Sequence, residues 1–274
     1  MTSKRMTLAA VLITFGALGA ASVARADTIL YIDDTSGNIG QVDITTQSVV
    51  SGSVHSTGLG SNLTDLGFTS SGTLYGTTFT GLYSINPATG SATNVTTYSG
   101  GINTMNALVG NGSSLLGASN STKDIYAIDP ASGSVSLSAH STEESAGDLA
   151  FANSILYEAG IGKNGNDSLV NITSGKTVGA FKVGNGHGSE LSGVFGLADD
   201  GTNMYAVDGT TVYTVNLKNA VLTKVFNYGG HGLGSADGTA FIGEGPTDVP
   251  EPGSLMLLGT GLVMLGVFLK RRRI

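Results

Sequence analysis

The sequence has no cysteine, no tryptophan and only five prolines, and it has no arginine between residues 27 and 248. Without cysteine there are no disulfide staples, thiolate nucleophiles or cysteine metal sites. Charged residues make up only 12% of the chain. Within 27–248 six lysines (Lys123, Lys163, Lys176, Lys182, Lys218 and Lys224) face nineteen acidic residues, a net charge of −13. Such a surface repels phosphate backbones, which argues against nucleic acid as a partner. There is no Gly-x-Ser-x-Gly elbow and no phosphate-binding P-loop. What is abundant is glycine, 42 residues, which argues against helical repeats and coiled coils. The strict glycine triplet of collagen is missing. A hydrophobic fraction of 40% is too high for a simple disordered chain.

Both ends read as targeting segments. Lys4 and Arg5 precede the apolar run Thr7 to Ala20, and Ala24-Arg25-Ala26 is an A-x-A cleavage site. This predicts a signal peptide over 1–26, with cleavage set by Ala24 and Ala26 and a mature chain starting at Asp27. At the other end, Pro250, Glu251 and Pro252 precede the apolar run Leu255 to Leu269, followed by Lys270 and Arg271 to Arg273. The 15-residue run is short for a bilayer, but it predicts one transmembrane helix. The basic cluster would stay cytoplasmic.

The three-part tail over 249–274 resembles the PEP-CTERM sorting signal of Gram-negative bacteria. That resemblance implies transient recognition by exosortase, a membrane enzyme. It also implies attachment through the tail before processing, and a final place at the cell surface or in the extracellular matrix.

The middle repeats. Asp43, Asn86, Asp129, Asn171 and Asn216 are spaced by 43, 43, 42 and 45 residues. The residue before each is apolar: Val42, Ile85, Ile128, Val170 and Val215. Three copies carry tyrosine two positions earlier still, as Tyr83, Tyr126 and Tyr213, so the alternation has the period of a half-buried strand. Asp or Asn opening a turn bonds the backbone two residues on. Gly90, Gly133 and Gly175, four residues after their anchors, suit a left-handed turn position.

A second apolar segment recurs at Leu30-Tyr31, Leu74-Tyr75, Leu115-Leu116, Leu156-Tyr157, Met204-Tyr205 and Phe241-Ile242. Another precedes it at Leu66-Gly67-Phe68, Asp148 to Phe151 and Val194 to Leu197. Four short strands per unit of about 43 residues describe a propeller blade. The expected fold over 27–248 is an all-β propeller of five blades, with a partial sixth as the alternative. Gly232 to Ala236 and Thr239 to Gly243 read as a surplus pair of strands, the first of which would complete the N-terminal blade and close the ring.

The candidate site is a face carrying His55, His140, His187 and His231, which share one phase of the repeat. Glu143 and Glu190 follow two of them at the same distance. Imidazoles and carboxylates meeting on one face could hold Zn, Cu or Ni, or polarise a ligand. The sequence identifies no cofactor. The expected role is structural or binding, with exopolysaccharide as the candidate ligand. A lyase or hydrolase using the His/Glu face, and an ice-binding or adhesion protein, are the alternatives.

Overall fold

The computed structural model describes residues 28–184 and 188–246. They form five antiparallel sheets around an axis. Blades 2 to 5 run from the inside outward in chain order. Blade 2 is Leu63–Phe68, Leu74–Thr78, Gly81–Ile85 and Ala92–Thr97. Blade 3 is Met105–Asn111, Ser114–Ser119, Asp124–Asp129 and Ser134–His140. Blade 4 is Glu144–Ala152, Ile155–Ile161, Asp167–Asn171 and Lys176–Ala180. Blade 5 is Val194–Asp199, Met204–Asp208, Thr211–Asn216 and Val221–Asn227, with Lys182–Val183 added in parallel to its outer edge.

Blade 1 joins the two ends of the domain. Its inner strand is Ala236–Phe241 and the next is Ile29–Asp34, paired in antiparallel register from Leu30 with Phe241 to Ile32 with Thr239. Asn38–Asp43 and the short Ser48–Val49 and His55–Ser56 complete it. The ring therefore closes, as expected, between a C-terminal strand and the N-terminal blade, but through Ala236–Phe241 and not Gly232 to Ala236, and no inner strand is left with an open edge.

Two expectations need correction. The described residues form five blades, without a sixth. Residues 232–243 also supply one strand, not two. Gly230 and Gly232 take left-handed φ of 83° and 89°, which ends extended backbone there and leaves a connection. Phe241 accordingly ends an inner strand, and Phe241-Ile242 is not the second strand of a unit.

Each blade is buried on both faces, so the hydrophobic residues fall into five clusters, one per interface between blades. Along Ile29–Asp34, Leu30 and Ile32 pack toward blade 5, whereas Tyr31 packs toward blade 2. The period-two alternation thus sorts side chains between two neighbours.

Four of the anchors end the third strand of a blade, and Asn86 directly follows that of blade 2. Oδ1 of Asp43, Asn86, Asp129 and Asn216 accepts the N–H two residues on, at 2.7 to 2.9 Å. Asn171 takes that of Ser174, three on, at 2.8 Å. The left-handed position four residues after the anchor is Gly90, Gly133 and Gly175 in three blades, but Gln47 and Ala220 in the other two.

Candidate functional site

All five inner strands break register at the same height. In four of them one residue is skipped by the ladder: Asp237, Thr64, Asn106 and Phe195. In blade 4 two are skipped, Ala146 and Gly147. Such bulges turn side chains out of the pleat and are frequent beside functional sites. These six residues, one set from every blade, line a cavity of about 300 Å³. Ser61, Phe79 and Asn120, from the connections above the strands, complete its wall. The cavity is the mouth of the propeller axis.

Its lining mixes two chemistries. Phe79 and Phe195 are 38% and 36% exposed, although large apolar side chains elsewhere in the ring are mostly buried. Asn106 is only 6% exposed, and its Nδ2 donates to the Ser145 carbonyl at 3.2 Å. Asn106 Oδ1 and the buried Ser145 Oγ have no hydrogen-bond partner. Burial, then the charge of Asp34, raises the Asp237 carboxyl to about 6.

Beneath the mouth the axis is sealed by carboxyl groups. The backbone N–H groups after the bulges belong to Leu66, Leu108, Leu149, Leu197 and Thr239, one per blade. Asp65 accepts those of Leu66 at 2.6 Å and Leu108 at 2.5 Å. Asp148 accepts those of Leu149 and Leu197 at 2.6 Å, and of Thr239 at 3.1 Å. The Thr239 hydroxyl adds a bond at 2.9 Å. Two carboxyl groups thus satisfy five buried donors that no ladder could reach.

The two also hydrogen-bond each other. Burial, the largest cause for each, raises both well above the carboxylate range. Asp33, fully buried beside them, has no partner on either oxygen. Burial, then Asp237 and Asp148, pushes it well above the carboxylate range. Gly238 lies between Asp33 and Asp65, and a methyl group there would overlap both.

The opposite end of the axis is covered by the chain itself. After Phe241 the segment 242–246 crosses it. Glu244 accepts the N–H groups of Phe241 and Asp199, both at 3.2 Å. Burial of its carboxyl, then the charge of Asp148, raises it strongly. A cavity of about 140 Å³ there is lined by Asn153, Asp199 and Gly245 among others. These belong to turns joining first and second strands, or to the crossing segment. The mouth is walled instead by turns joining second and third strands. The two cavities are therefore on opposite faces, and Pro246 leaves from the face away from the mouth.

The described histidines and glutamates read from the repeat are placed apart from this axis. His55 lies on a short outer strand of blade 1, near Gly90. His140 ends the outer strand of blade 3, is 66% exposed, and has Nδ1 2.8 Å from Asp124. His231 lines a surface cavity with the 49–54 segment. Glu143 accepts the hydroxyls of Thr177, at 2.8 Å, and Ser168. Glu190 pairs with Lys182 at 3.2 Å and accepts Asn166 Nδ2 at 2.7 Å. Among the described residues no three His, Asp or Glu side chains are grouped to hold a metal ion. His187 lies outside the described residues, as do Ala24, Ala26, Pro250, Glu251, Pro252 and the apolar run Leu255 to Leu269. No helix among the described residues is long and apolar enough to cross a membrane.

Sequence reading missed the axial residues. A signal existed. Asp65-Leu66-Gly67-Phe68 and Asp148-Leu149-Ala150-Phe151 repeat an acid within an apolar inner strand, where a charge has no structural reason unless donors surround it.

Among solved structures, the propeller is similar to a chain of the "Crystal structure of Nidogen/Laminin Complex". The TM-score is 0.50 and the identity 12%, over 78% of this chain and 98% of that one. It also matches the "computationally designed Ika8 protein", with a TM-score of 0.36 and 16% identity, over 77% of this chain and 62% of that one. At these identities the first likeness shows the fold alone, and the second carries no argument. No curated protein sequence matches the chain. Residues 248–273 match the family described as "PEP-CTERM protein-sorting motif". The chain is thus a five-bladed β-propeller ending in a PEP-CTERM sorting motif, which implies exosortase-dependent export to the envelope or surface of a Gram-negative cell.

Proposed function

We propose that the protein is a surface-displayed binding module whose axial mouth takes a carbohydrate group of the extracellular matrix. The observation that carries this reading is the convergence of five bulges on one cavity. Evenly built blades would point these side chains into the interfaces instead. Exposed phenyl rings give flat apolar faces on which a sugar ring can rest. Ser61, Thr64, Asn106 and Asn120 supply the neutral polar partners that its hydroxyls need. The cavity is at the small end of ligand sites, with room for one sugar-sized group.

The exit of the chain supports the same reading. The described chain ends at Pro246 on the far face, so it leads toward the sorting motif from the side away from the mouth. After processing, the mouth face remains free of the tail. Exosortase would act on Pro250 to Pro252 and the following span, before release or attachment at the surface.

The test is binding of matrix oligosaccharides to the exported protein. Phe195→Ala should weaken binding about tenfold or more while leaving the melting temperature nearly unchanged, and Asn106→Ala should weaken it similarly while lowering the melting temperature, because the buried Ser145 carbonyl loses its donor. Binding that ignores both substitutions would move the site elsewhere. Mass spectrometry of the same material should find Leu255 to Ile274 missing, and an intact C-terminus would overturn the processing step.

A further inference from the structure

The mouth asks for a particular ligand chemistry. The unmatched groups on its lining are acceptors. Asn106 Oδ1 is buried and unpartnered, because the amide nitrogen is committed to the Ser145 carbonyl. Asp237 lines the same cavity, and among the described residues it forms no ion pair. Asp33 lies below with neither oxygen satisfied. The domain around them carries a net charge of −13 and has no arginine to compensate. A hydroxyl group would satisfy Asn106 but leave the carboxylate without a counter-charge.

We propose that the group bound in the axial mouth is a protonated amine, carried by an amino sugar rather than a neutral one. This rests on the carbohydrate reading above. An ammonium has three donors and no acceptor, which suits Asn106 Oδ1 and Asp237 together. The rings of Phe79 and Phe195 stand beside it, and an aromatic face attracts a cation within about 6 Å. A metal ion fits the same charge less well, because the described residues group no three ligands. An N-acetylated sugar would replace three donors by one and bring no charge.

The acidity of Asp237 gives the binding a direction with pH. The titratable groups facing it are Asp33 and Asp34 on the adjacent strand and Tyr228 of blade 5, with Asp65 and Asp148 deeper on the inner strands. Asp237 titrates at about 6. Lowering the pH from 7 to 5 removes its charge, and the amine of an amino sugar, less basic than an alkyl amine because of its neighbouring oxygens, offsets this only in part by gaining protonation. Affinity should fall severalfold over that interval.

The experiment is calorimetric titration of the exported protein with glucosamine oligomers and with their N-acetylated counterparts, at pH 7 and pH 5. The expected result is at least tenfold tighter binding of the amines at pH 7. Asp237→Asn should erase that preference and its pH dependence, with circular dichroism reporting an unchanged fold. Phe195→Ala should weaken both series. Equal or tighter binding of the N-acetylated series overturns the amine and keeps the carbohydrate reading. Binding of neither series, or binding insensitive to Phe195→Ala, overturns both.

Discussion

The rim and the interior of this ring solve the same problem in opposite ways. At the rim each blade needs a turn between its last two strands. It gets one from a single Asp or Asn anchor, repeated five times in water. At the axis five strands crowd together, and five N–H groups point where no ladder partner exists. There the symmetry breaks, because two carboxyl groups from blades 2 and 4 serve all five. A local device can be copied with each blade, but a shared one cannot, since five buried acids would repel one another. The charge states differ accordingly. At the rim the Ser132 hydroxyl and the Ala131 N–H hold Asp129 low. In the interior, burial holds Asp33, Asp65 and Asp148 high.

The largest effect should come from breaking the shared cap. Asp148→Leu removes the acceptor of three buried N–H groups at once. Each orphaned donor costs about 1–3 kcal/mol, so the sum reaches the whole stability of many domains. The variant should fail to unfold cooperatively in urea. Asp148→Asn, which retains one acceptor oxygen, should fold with reduced stability. An Asp148→Leu protein within about 1 kcal/mol of the parent would show that the cap is dispensable. Removing a rim anchor, as in Asn86→Ala, should cost only about 1 kcal/mol, since water can replace the lost bond.

The next effect sharpens the contrast in charge. Burial raises Glu158, on the second strand of blade 4, from 4.5 to about 8, and the hydroxyl of Ser141 only partly offsets this. In the folded protein it keeps a proton that the unfolded chain releases near its ordinary value. Its contribution is therefore complete below about pH 4.5 and is lost as pH rises toward 8. The slope is about 1.4 kcal/mol per pH unit for one such group. Asp167 and Asp237, both raised to about 6, add loss between about 4 and 6. Rim carboxylates such as Asp129 act with the opposite sign, but only in the acid range below their ordinary value. Denaturation midpoints should accordingly be higher at pH 5 than at pH 8. Glu158→Gln should flatten the upper part of that curve. A midpoint that rises from pH 5 to 8 would contradict the buried-acid account.

The same contrast decides what could be read from the sequence. The rim was legible because its turn chemistry is local: Asn86-Pro87-Ala88-Thr89-Gly90 carries its own instructions. Five blades followed from that period, and ring closure from a start in mid-blade, although the closing strand is Ala236–Phe241 and not the segment read for it. The inner strands were only partly legible. Leu66-Gly67-Phe68 reads as a strand, but nothing near Asn106 or Phe195 signals a bulge. The cap was hidden because Asp65 bonds Leu108, 43 residues away, and Asp148 bonds Thr239, 91 residues away. The described histidines His55, His140 and His231 stand apart for a related reason. One phase of a repeat places residues at equivalent positions on different blades, yet equivalent positions on outer strands are the farthest apart. Only inner-strand positions converge.

The smallest effect tests whether the rim is as modular as it looks. The fourth position after each anchor is left-handed in all five blades, with φ between 57° and 76°. Gly175 there has open space around it, so only backbone conformation resists a side chain. Gly175→Ala should cost about 1 kcal/mol, the penalty for a β-carbon in this region. Gln47 already bears that penalty at the equivalent place in blade 1, where it is exposed. Gln47→Gly should therefore stabilise, by about 0.5 kcal/mol once the added freedom of the unfolded glycine is subtracted. Ala220 is not a fair third case, because its methyl group is fully buried between blades 4 and 5. The double variant Gln47→Gly with Gly175→Ala should equal the sum of the singles to within about 0.3–0.5 kcal/mol, as distant independent sites do. A larger deviation in thermal unfolding would mean that the hairpins feel one another through the ring, and that the rim shares the coupling seen at the axis.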